Sequence, residues 1–416
     1  MGDIVELIDS LRIIDADAHL TEPADLWESR VPASAKDKVP SQRTVDGVTS
    51  WFLDDQAWSG LGGNVIQTGN VRAKGVLYTH PFEAIDKLAW SVPERLEFLD
   101  KMGVWAQVLY PNGIGFASNH VFAIEDAELR KLVLQTYNDF LVDVQDESGG
   151  RLLPQAILPV WDMDFTVKEM TRLLDKGIRG FTLSDKPELL GLPELPEPYF
   201  DPMWDIFNEA GVAVNFHIAS GATLEQKQRI WNLGAKDGQK LPQSASPPTA
   251  RTDWKYFGRQ RGYVVRSSQS SMSNMRIIAN LCMSDIFDRF PKLKVVSVES
   301  GIGWVPFLLE GLEFLFDDMV TEEEEINLTK RRPSEYFHDH IYVMFWFEKT
   351  APERLLDVVG VNNVMVETDI PHPSSLYPGA KEHFAKVLAN QDPHTIRRVL
   401  QDNAAELYRI AIPPVG

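Results

Sequence analysis

The stretch Arg12-Ile-Ile-Asp-Ala-Asp-Ala-His-Leu20 decides how the rest of the chain is read. Two isoleucines lead into two acids and a histidine at alternating positions. In a strand, residues two apart point to the same side. The alternation predicts that Asp15, Asp17 and His19 share one face, where the strand gives way to a loop. Ligand-type side chains converging from one strand end make half of a metal site. An acidic turn with a surface histidine is the plain alternative.

Working outward, the chain settles into alternation. Strand patterns recur at 104–110, 152–159, 180–183, 212–217, 293–299, 341–346 and 363–369. Each is a short apolar run, such as Val212-Ala-Val-Asn-Phe-His217. Helices are predicted between them over 93–101, 125–145, 165–175, 202–209, 272–289, 305–316 and 352–358. The helix at 202–209 is closed by Ala210-Gly211, a common helix stop. Strands alternating with helices imply a parallel sheet, and eight such units imply closure into a (β/α)8 TIM barrel. A doubly wound open sheet is the alternative architecture. No Gly-rich phosphate fingerprint follows the first strand, which weighs against a dinucleotide-binding version.

The expected organisation is one domain over 1–416, with an insertion at 30–85 after strand one and another at 222–266 after strand five. The first carries Trp51, Phe52 and Trp58 among many Gly and Pro. That is too many large apolar side chains for a linker, so a small hairpin of its own is expected there. Residues 1–11 read as a short helical arm.

Composition narrows the function classes. The 416 residues are 44% hydrophobic and 10% aromatic, enough for a large core. A net charge of −19 argues against nucleic acid or an anionic membrane surface as partner. It leaves an anionic small-molecule substrate open, because a basic pocket can sit inside an acidic shell. The one cysteine, Cys282, excludes an internal disulfide and suits a reducing cytoplasm. No run of about 20 apolar residues is present, so no membrane span is expected. Asp3 and Glu6 near the start argue against a signal peptide.

In a parallel barrel the reactive groups sit at the C-terminal ends of the strands. Those ends carry ligand types here. Strand one gives Asp17 and His19, strand five gives His217, and strand six gives Glu299. Strand eight gives Asp369, with His372 three residues on. Each alone has a dull explanation, as a hydrogen-bonded histidine or a helix N-cap acid. Together they predict a cation cage at one mouth of the barrel. A mixed nitrogen and oxygen set suits Zn²⁺, Mn²⁺ or Fe²⁺, one or two per chain, and disfavours Ca²⁺ or Mg²⁺.

At this point the sequence resembles the amidohydrolase-related barrel proteins of the second amidohydrolase group. That group includes aminocarboxymuconate-semialdehyde decarboxylase and related aromatic-acid decarboxylases. The marks are Asp17-Ala-His19 with Glu22-Pro23, Leu192-Pro193 with Asp201-Pro202, and Asn215-Phe-His217. Further marks are Phe290-Pro-Lys-Leu-Lys294, Glu299-Ser-Gly-Ile-Gly-Trp304, Thr368-Asp-Ile-Pro-His372 and Asn403-Ala-Ala-Glu-Leu-Tyr408. The resemblance implies metal ligation by Asp17, His19, His217 and Asp369. It departs at two positions. Asp17 stands where histidine is frequent in the family, and Glu299 stands where typical decarboxylases carry a proton-transferring histidine. No lysine ends strand four, so a carbamylated-lysine bridge is not expected.

The resulting expectation is a metal-dependent enzyme that activates water and polarises a substrate oxygen, with Asp369 moving a proton. Hydrolysis and non-oxidative decarboxylation both fit. Glu299 adds two roles: a general base raised by burial, or a carboxylate that serves a second ion. The latter leads to an alternative, a dinuclear iron or iron–manganese monooxygenase on the same barrel. A further alternative is a non-catalytic partner subunit with a structural metal. Under each reading a homo- or hetero-oligomer is expected. On the substrate side, the second insertion places Arg251, Lys255, Arg259, Arg261 and Arg266 among aromatics. It reads as a lid over the mouth whose arginines grip a carboxylate in two-pronged fashion, or as a solvated excursion. Trp304 and Trp346 are expected to line the pocket.

Overall fold

Strand β1 (Ile13–Leu20) is buried along its whole length, with a parallel neighbour on each side. These are β2 (Val104–Pro111) and β8 (Val364–Val366). From β8 the parallel order continues through β7 (Ile341–Phe345), β6 (Lys294–Val298), β5 (Ala213–His217) and β4 (Gly180–Thr182). The two ends of this sheet are consecutive pieces of one segment: Leu152–Pro154 pairs with β2 and Ala156–Ile157 pairs with β4. Taken together they are β3, and they close the ring. Pro154 has no N–H to give, and Gln155 gives its own to Leu109 O at 2.8 Å. The ladder therefore changes partner at that step. The coordinates are a computed structural model, in which residues 2–75, 80–221 and 258–414 are described.

Both faces of the cylinder are covered, as all-parallel sheets require. Inward-facing residues, among them Ile14, Val108, Leu153, Val296 and Met344, fill the interior. Outward-facing ones, such as Val214, Phe216 and Val295, pack beneath the helices. Tyr408, from the C-terminal helix Asn403–Tyr408, packs with the interior set. Its hydroxyl and that of Tyr110 both donate to Asn215 Oδ1, at 2.7 and 3.0 Å. These bonds satisfy polar groups buried inside the barrel.

Alternation along β1 is broken. Its register against β2 shifts between Asp15 and Ala18, which is the mark of a bulge. Ile14 and Ala16 face inward. Asp15 does not share the face of Asp17 and His19, contrary to the strand-periodicity expectation. It accepts from Thr368 N and Oγ1, at 2.8 and 2.5 Å, and from Gln107 Nε2 at 2.7 Å. Gln107 in turn accepts from Arg95 of the helix Val92–Met102. Asp15 is thus a tie between β8, β1 and β2 on the helix side of the sheet.

Between β1 and that helix lie a three-stranded antiparallel sheet (Ser41–Val45, Val48–Leu53, Gln56–Gly60) and a two-stranded ribbon (Ile66–Gln67, Val71–Arg72). Trp51 and Trp58 of the sheet pack on Trp27, with ring centroids 4.7 and 5.9 Å apart. The helix expected over 272–289 is two helices, Met275–Cys282 and Ile286–Arg289, preceded by Arg259–Ser270. Most of the stretch read as a lid falls outside the described residues. Among the described residues, no helix is long and apolar enough to cross a membrane.

Candidate metal centre

Six side chains meet at the C-terminal mouth: Asp17, His19, His217, Glu299, Asp369 and His372. Four of them, Asp17, His19, His217 and Asp369, are fully buried, and Glu299 and His372 are 8% and 7% exposed. They fall into two overlapping groups of ligand-type atoms, each within 4.8 Å. One is Asp17, His19, His217 and Glu299. The other is His19, Glu299, Asp369 and His372.

Hydrogen bonds fix the tautomers of two histidines. His19 Nδ1 lies 3.0 Å from Pro111 O, and His217 Nδ1 lies 2.8 Å from Ile218 O. A carbonyl can only accept, so both Nδ1 atoms carry the proton and both Nε2 atoms present a lone pair. Those Nε2 atoms are 3.3 Å apart. Around them, His19 Nε2 is 3.7 Å from Asp17 Oδ1 and 3.5 Å from Asp369 Oδ1. His217 Nε2 is 3.7 Å from Asp17 Oδ2 and 3.4 Å from Glu299 Oε2. Both oxygens of Asp17 are buried with no hydrogen-bond partner.

Lone pairs and anionic oxygens facing one another repel unless a positive charge lies between them. Tetrahedral ligands at about 2.0–2.2 Å from an ion stand roughly 3.3–3.6 Å apart, close to the 3.3–3.7 Å found here. The donor set and its spacing therefore fit a divalent cation. Among the described residues, no Lys or Arg pairs with these carboxylates; their ionic neighbours are the histidines.

Burial sets the protonation of the cluster's own groups. It pushes Asp17 up to about 7, reinforced by Asp369 and opposed by His19. It pushes Glu299 well above the usual carboxylate range, with Asp369 and Asp17 adding to the rise. Burial and the neighbouring His372 bring His19 down to about 4. Burial also pushes Asp369 upward, but the neighbouring His372 imidazole outweighs it and holds this carboxyl below the usual range. His372 Nδ1 is 2.7 Å from Asp369 Oδ1, and the Ser374 hydroxyl donates to Asp369 Oδ2.

The backbone works against itself to build this mouth. Val296 and Val298 face inward, so alternation would turn Glu299 outward. Glu299 instead has φ 52°, and Asp369 has φ 56°. Left-handed backbone costs a non-glycine residue about 1 kcal/mol or more, and such outliers cluster where function requires them. Each is held by its own N–H. Glu299 N–H donates to Glu367 Oε2 at 3.1 Å, and Asp369 N–H donates to Asp17 O at 3.0 Å.

Sequence reading missed the supports of the site. Glu22 is fully buried, and its carboxylate accepts from the N–H groups of Asn112, Gly113 and Ile114. It holds the loop after β2. Asn112 Oδ1 is 3.1 Å from His372 Nε2, and its Nδ2 donates to Thr21 Oγ1. Gly62 and Gly63 press against this pair. A Cβ on Gly63 would stand 2.8 Å from His372 Cδ2, and one on Gly62 would overlap Asn112. The run Gly60-Leu-Gly-Gly63 was the available signal, since glycine marks close backbone approach. Glu367, fully buried beside the cluster, gave no signal beyond its even spacing from Asp369.

Glu299 and His372 also line a cavity of about 260 Å³, with Phe116, Trp346, Phe347 and Arg266 in its wall. Arg266 has no ion-pair partner among the described residues, and its Nε is buried without a hydrogen-bond acceptor. Trp346 lines this cavity. Trp304 does not; its indole N–H donates to Ser300 O and locks the loop after β6. Arg251 lies outside the described residues. Arg259 opens the helix Arg259–Ser270, and its side chain is likewise outside them.

A family model described as amidohydrolase matches residues 14–410, nearly the whole chain. The protein belongs to the amidohydrolase family. It is thereby a member of a family of enzymes, and its fold agrees with solved relatives. An amidohydrolase from Mycobacterium avium subsp. paratuberculosis K-10 aligns at 20% identity and TM-score 0.67, covering 95% of this chain and 99% of that one. The 5-carboxyvanillate decarboxylase from Sphingomonas paucimobilis aligns at 18% identity and TM-score 0.58, covering 97% and 100%. A dihydroxybenzoic acid decarboxylase from Polaromonas sp. JS666, with bound manganese and 2-nitroresorcinol, aligns at 15% identity and TM-score 0.57, covering 96% and 97%.

Proposed function

We propose that this protein is a metal-dependent hydrolase or carboxy-lyase acting on a small carboxylate-bearing or aromatic substrate. The observation that carries the proposal is the pair of partnerless Asp17 oxygens facing two imidazole lone pairs, beside a cavity of substrate size. Asp17, His19, His217 and Asp369 would hold the ion, with Glu299 and His372 at the cavity side. A bound divalent ion supplies Lewis acidity, lowering the pKa of water and polarising a substrate oxygen.

The chain's own groups supply the proton chemistry. Glu299 and Asp369 are neighbouring carboxyls whose environments push them in opposite directions, the pattern of an acid and base pair. Asp369, held ionised beside His372, takes a proton. Glu299, at the cavity wall and raised by burial, gives one. In hydrolysis the proton leaves the attacking water and reaches the leaving group. In decarboxylation it reaches the carbon from which CO₂ departs. Arg266 and the wall of Phe116, Trp346 and Phe347 suit a flat anion, held by its charge and its ring face. The manganese-bound and benzoate-type relatives support this reading, and Mn²⁺ is the first ion to test.

One observation favours a second reading. The two ligand groups share Glu299, whose two oxygens can serve two ions. Two divalent ions would balance the buried charge of Asp17, Glu299, Glu367 and Asp369. This supports a dinuclear iron or iron–manganese oxygenase. Elemental analysis of tag-free protein separates the readings, together with turnover of a hydroxybenzoate and carboxylate-ester panel with and without O₂. One metal per chain and anaerobic turnover, lost in Asp369→Asn, is the expected result. Two irons and O₂-dependent turnover would replace the first reading by the second.

A further inference from the structure

His372 is turned differently from the other two imidazoles of the mouth. His19 and His217 give Nδ1–H to a backbone carbonyl and point Nε2 at the cluster. His372 points Nδ1 at the cluster, 2.7 Å from Asp369 Oδ1, and its Nε2 lies 3.1 Å from Asn112 Oδ1. A side-chain amide can offer a ring either its oxygen or its nitrogen. Which of the two Asn112 offers is set further away, by a chain of buried hydrogen bonds.

The chain begins at a carbonyl. Leu61 O can only accept, so the atom of Asn64 that meets it at 3.3 Å is Nδ2. Asn64 Oδ1 therefore faces Thr21 Oγ1 at 3.0 Å and takes the single hydroxyl proton of Thr21. With that proton committed, Thr21 Oγ1 can only accept from its other neighbour. The atom of Asn112 that meets it at 2.9 Å is thus Nδ2. Gly63 O, 3.5 Å from the same Nδ2, selects the same orientation. Asn112 Oδ1 is left facing His372, and Nε2 must carry a proton to meet it. Asn64, Thr21 and Asn112 are 1%, 0% and 3% exposed, so solvent offers these groups little in exchange. Gly62 closes the remaining side, since a Cβ there would overlap Asn112 Oδ1.

We infer that Asn64, Thr21 and Asn112 form a directed relay that fixes the tautomer of His372, with the proton on Nε2 and Nδ1 kept for the reacting side of the site. Asn112 is a positioning residue, acting through His372. Without the relay the opposite tautomer is favoured, because an Nδ1–H would donate to the Asp369 carboxylate. With it, Nδ1 keeps its lone pair for an ion or for a proton. The relay also gives the first insertion a purpose. Leu61 and Asn64 lie between its antiparallel sheet and its ribbon, Thr21 and Asn112 directly follow β1 and β2, and His372 is on the loop after β8. The insertion thus supplies the fixed end of a chain that ends in the catalytic mouth. The inference rests on the proposed function only in taking His372 for a working member of the site.

The test reads ring nitrogens rather than turnover. The full chain is labelled with nitrogen-15 at histidine and observed by NMR, metal-free and again loaded with diamagnetic Zn²⁺. His372→Gln identifies the signals. Nε2 of His372 should be protonated in both samples. Thr21→Val keeps the shape of the side chain and removes its hydroxyl. Asn112 is then free to turn Nδ2 to the ring, and a bare Nε2 should appear, although no bond joins residue 21 to His372. If Thr21→Val does not fold, Asn64→Leu breaks the relay one link earlier. Mn²⁺ affinity should fall about 10- to 100-fold in Asn112→Leu and recover in Asn112→Asp, which restores an acceptor facing Nε2. A bare Nε2 in the wild type, an Nε2 that stays protonated when the relay is broken, or equal Mn²⁺ affinity in Asn112→Leu and Asn112→Asp would each overturn the inference. Mn²⁺ titration of the wild type decides the proposed function separately, since the nitrogen signals of metal-free protein decide the relay whether or not an ion binds.

Discussion

Replacing Gly63 by alanine tests the wall of the site most directly. The added Cβ would stand 2.8 Å from His372 Cδ2 and 2.9 Å from Pro373 Cδ. The nearer contact is about 0.6 Å short of ordinary van der Waals separation. Gly63 is not in the left-handed region, so its backbone accepts alanine and the clash is the whole perturbation. His372 has little room to retreat. Its ring is stacked on His19 at 3.8 Å, its Nε2 meets Asn112, and its Nδ1 meets Asp369. Overpacking of this kind costs about 1–3 kcal/mol. Disturbing the support of a metal ligand typically lowers affinity about 10- to 100-fold. Urea unfolding should read the first effect and Mn²⁺ titration the second. Gly69→Ala is the control. Gly69 has φ 86° and open space around it, so alanine there costs only backbone strain, about 1 kcal/mol, and should leave Mn²⁺ binding untouched. If Gly63→Ala binds Mn²⁺ as the wild type does, the glycine run does not support the site and His372 is no part of it.

Three other outcomes follow from the same geometry. Asp17→Asn should abolish tight Mn²⁺ binding yet raise the melting temperature of chelator-treated protein at pH 8, because it removes a buried charge that burial and Asp369 disfavour; a lower melting temperature in both forms would count against a cation site. The metal-free protein should lose stability as pH rises from about 6.5 through 7 and beyond. Asp15 and Asp17 are held near 7 by burial, above their unfolded value of 3.8, so the folded state binds more protons there and forfeits stability as they ionise. His19 and His80, lowered to about 4, act in the opposite direction only below 6.5, and Mn²⁺ should flatten the slope; melting curves against pH with and without Mn²⁺ check both. Glu22→Ala should cost about 3 kcal/mol in denaturant unfolding, since three backbone N–H groups lose their shared acceptor; a cost under about 1 kcal/mol would mean that water replaces it.

Much of the barrel was legible because its signals are local. Apolar runs punctuated by glycine and proline mark the strands. The polar residue closing each run marks the mouth, since a strand's last inward position is the first that meets the cavity. On β5 the alternation holds throughout, and Ala213, Asn215 and His217 face inward as period two requires. On β1 it failed for Asp15, because a bulge inserts one residue and exchanges the faces. The supports of the site were hidden for a different reason. Glu22, Asn112 and Gly63 act on residues more than 40 positions away, and nothing in their own neighbourhood announces the partner.

The amino-acid sequence alone therefore determined the family, the parallel barrel and which residue types crowd its mouth, since periodicity and motifs are properties of neighbouring residues. Only the tertiary structure decided which carboxylates face inward. Asp15 is turned away by a bulge, while Glu299 is turned in by a left-handed backbone that Glu367 holds from another strand. Those conformations are unfavourable by themselves and persist because distant segments bond to them, so no local pattern could encode them.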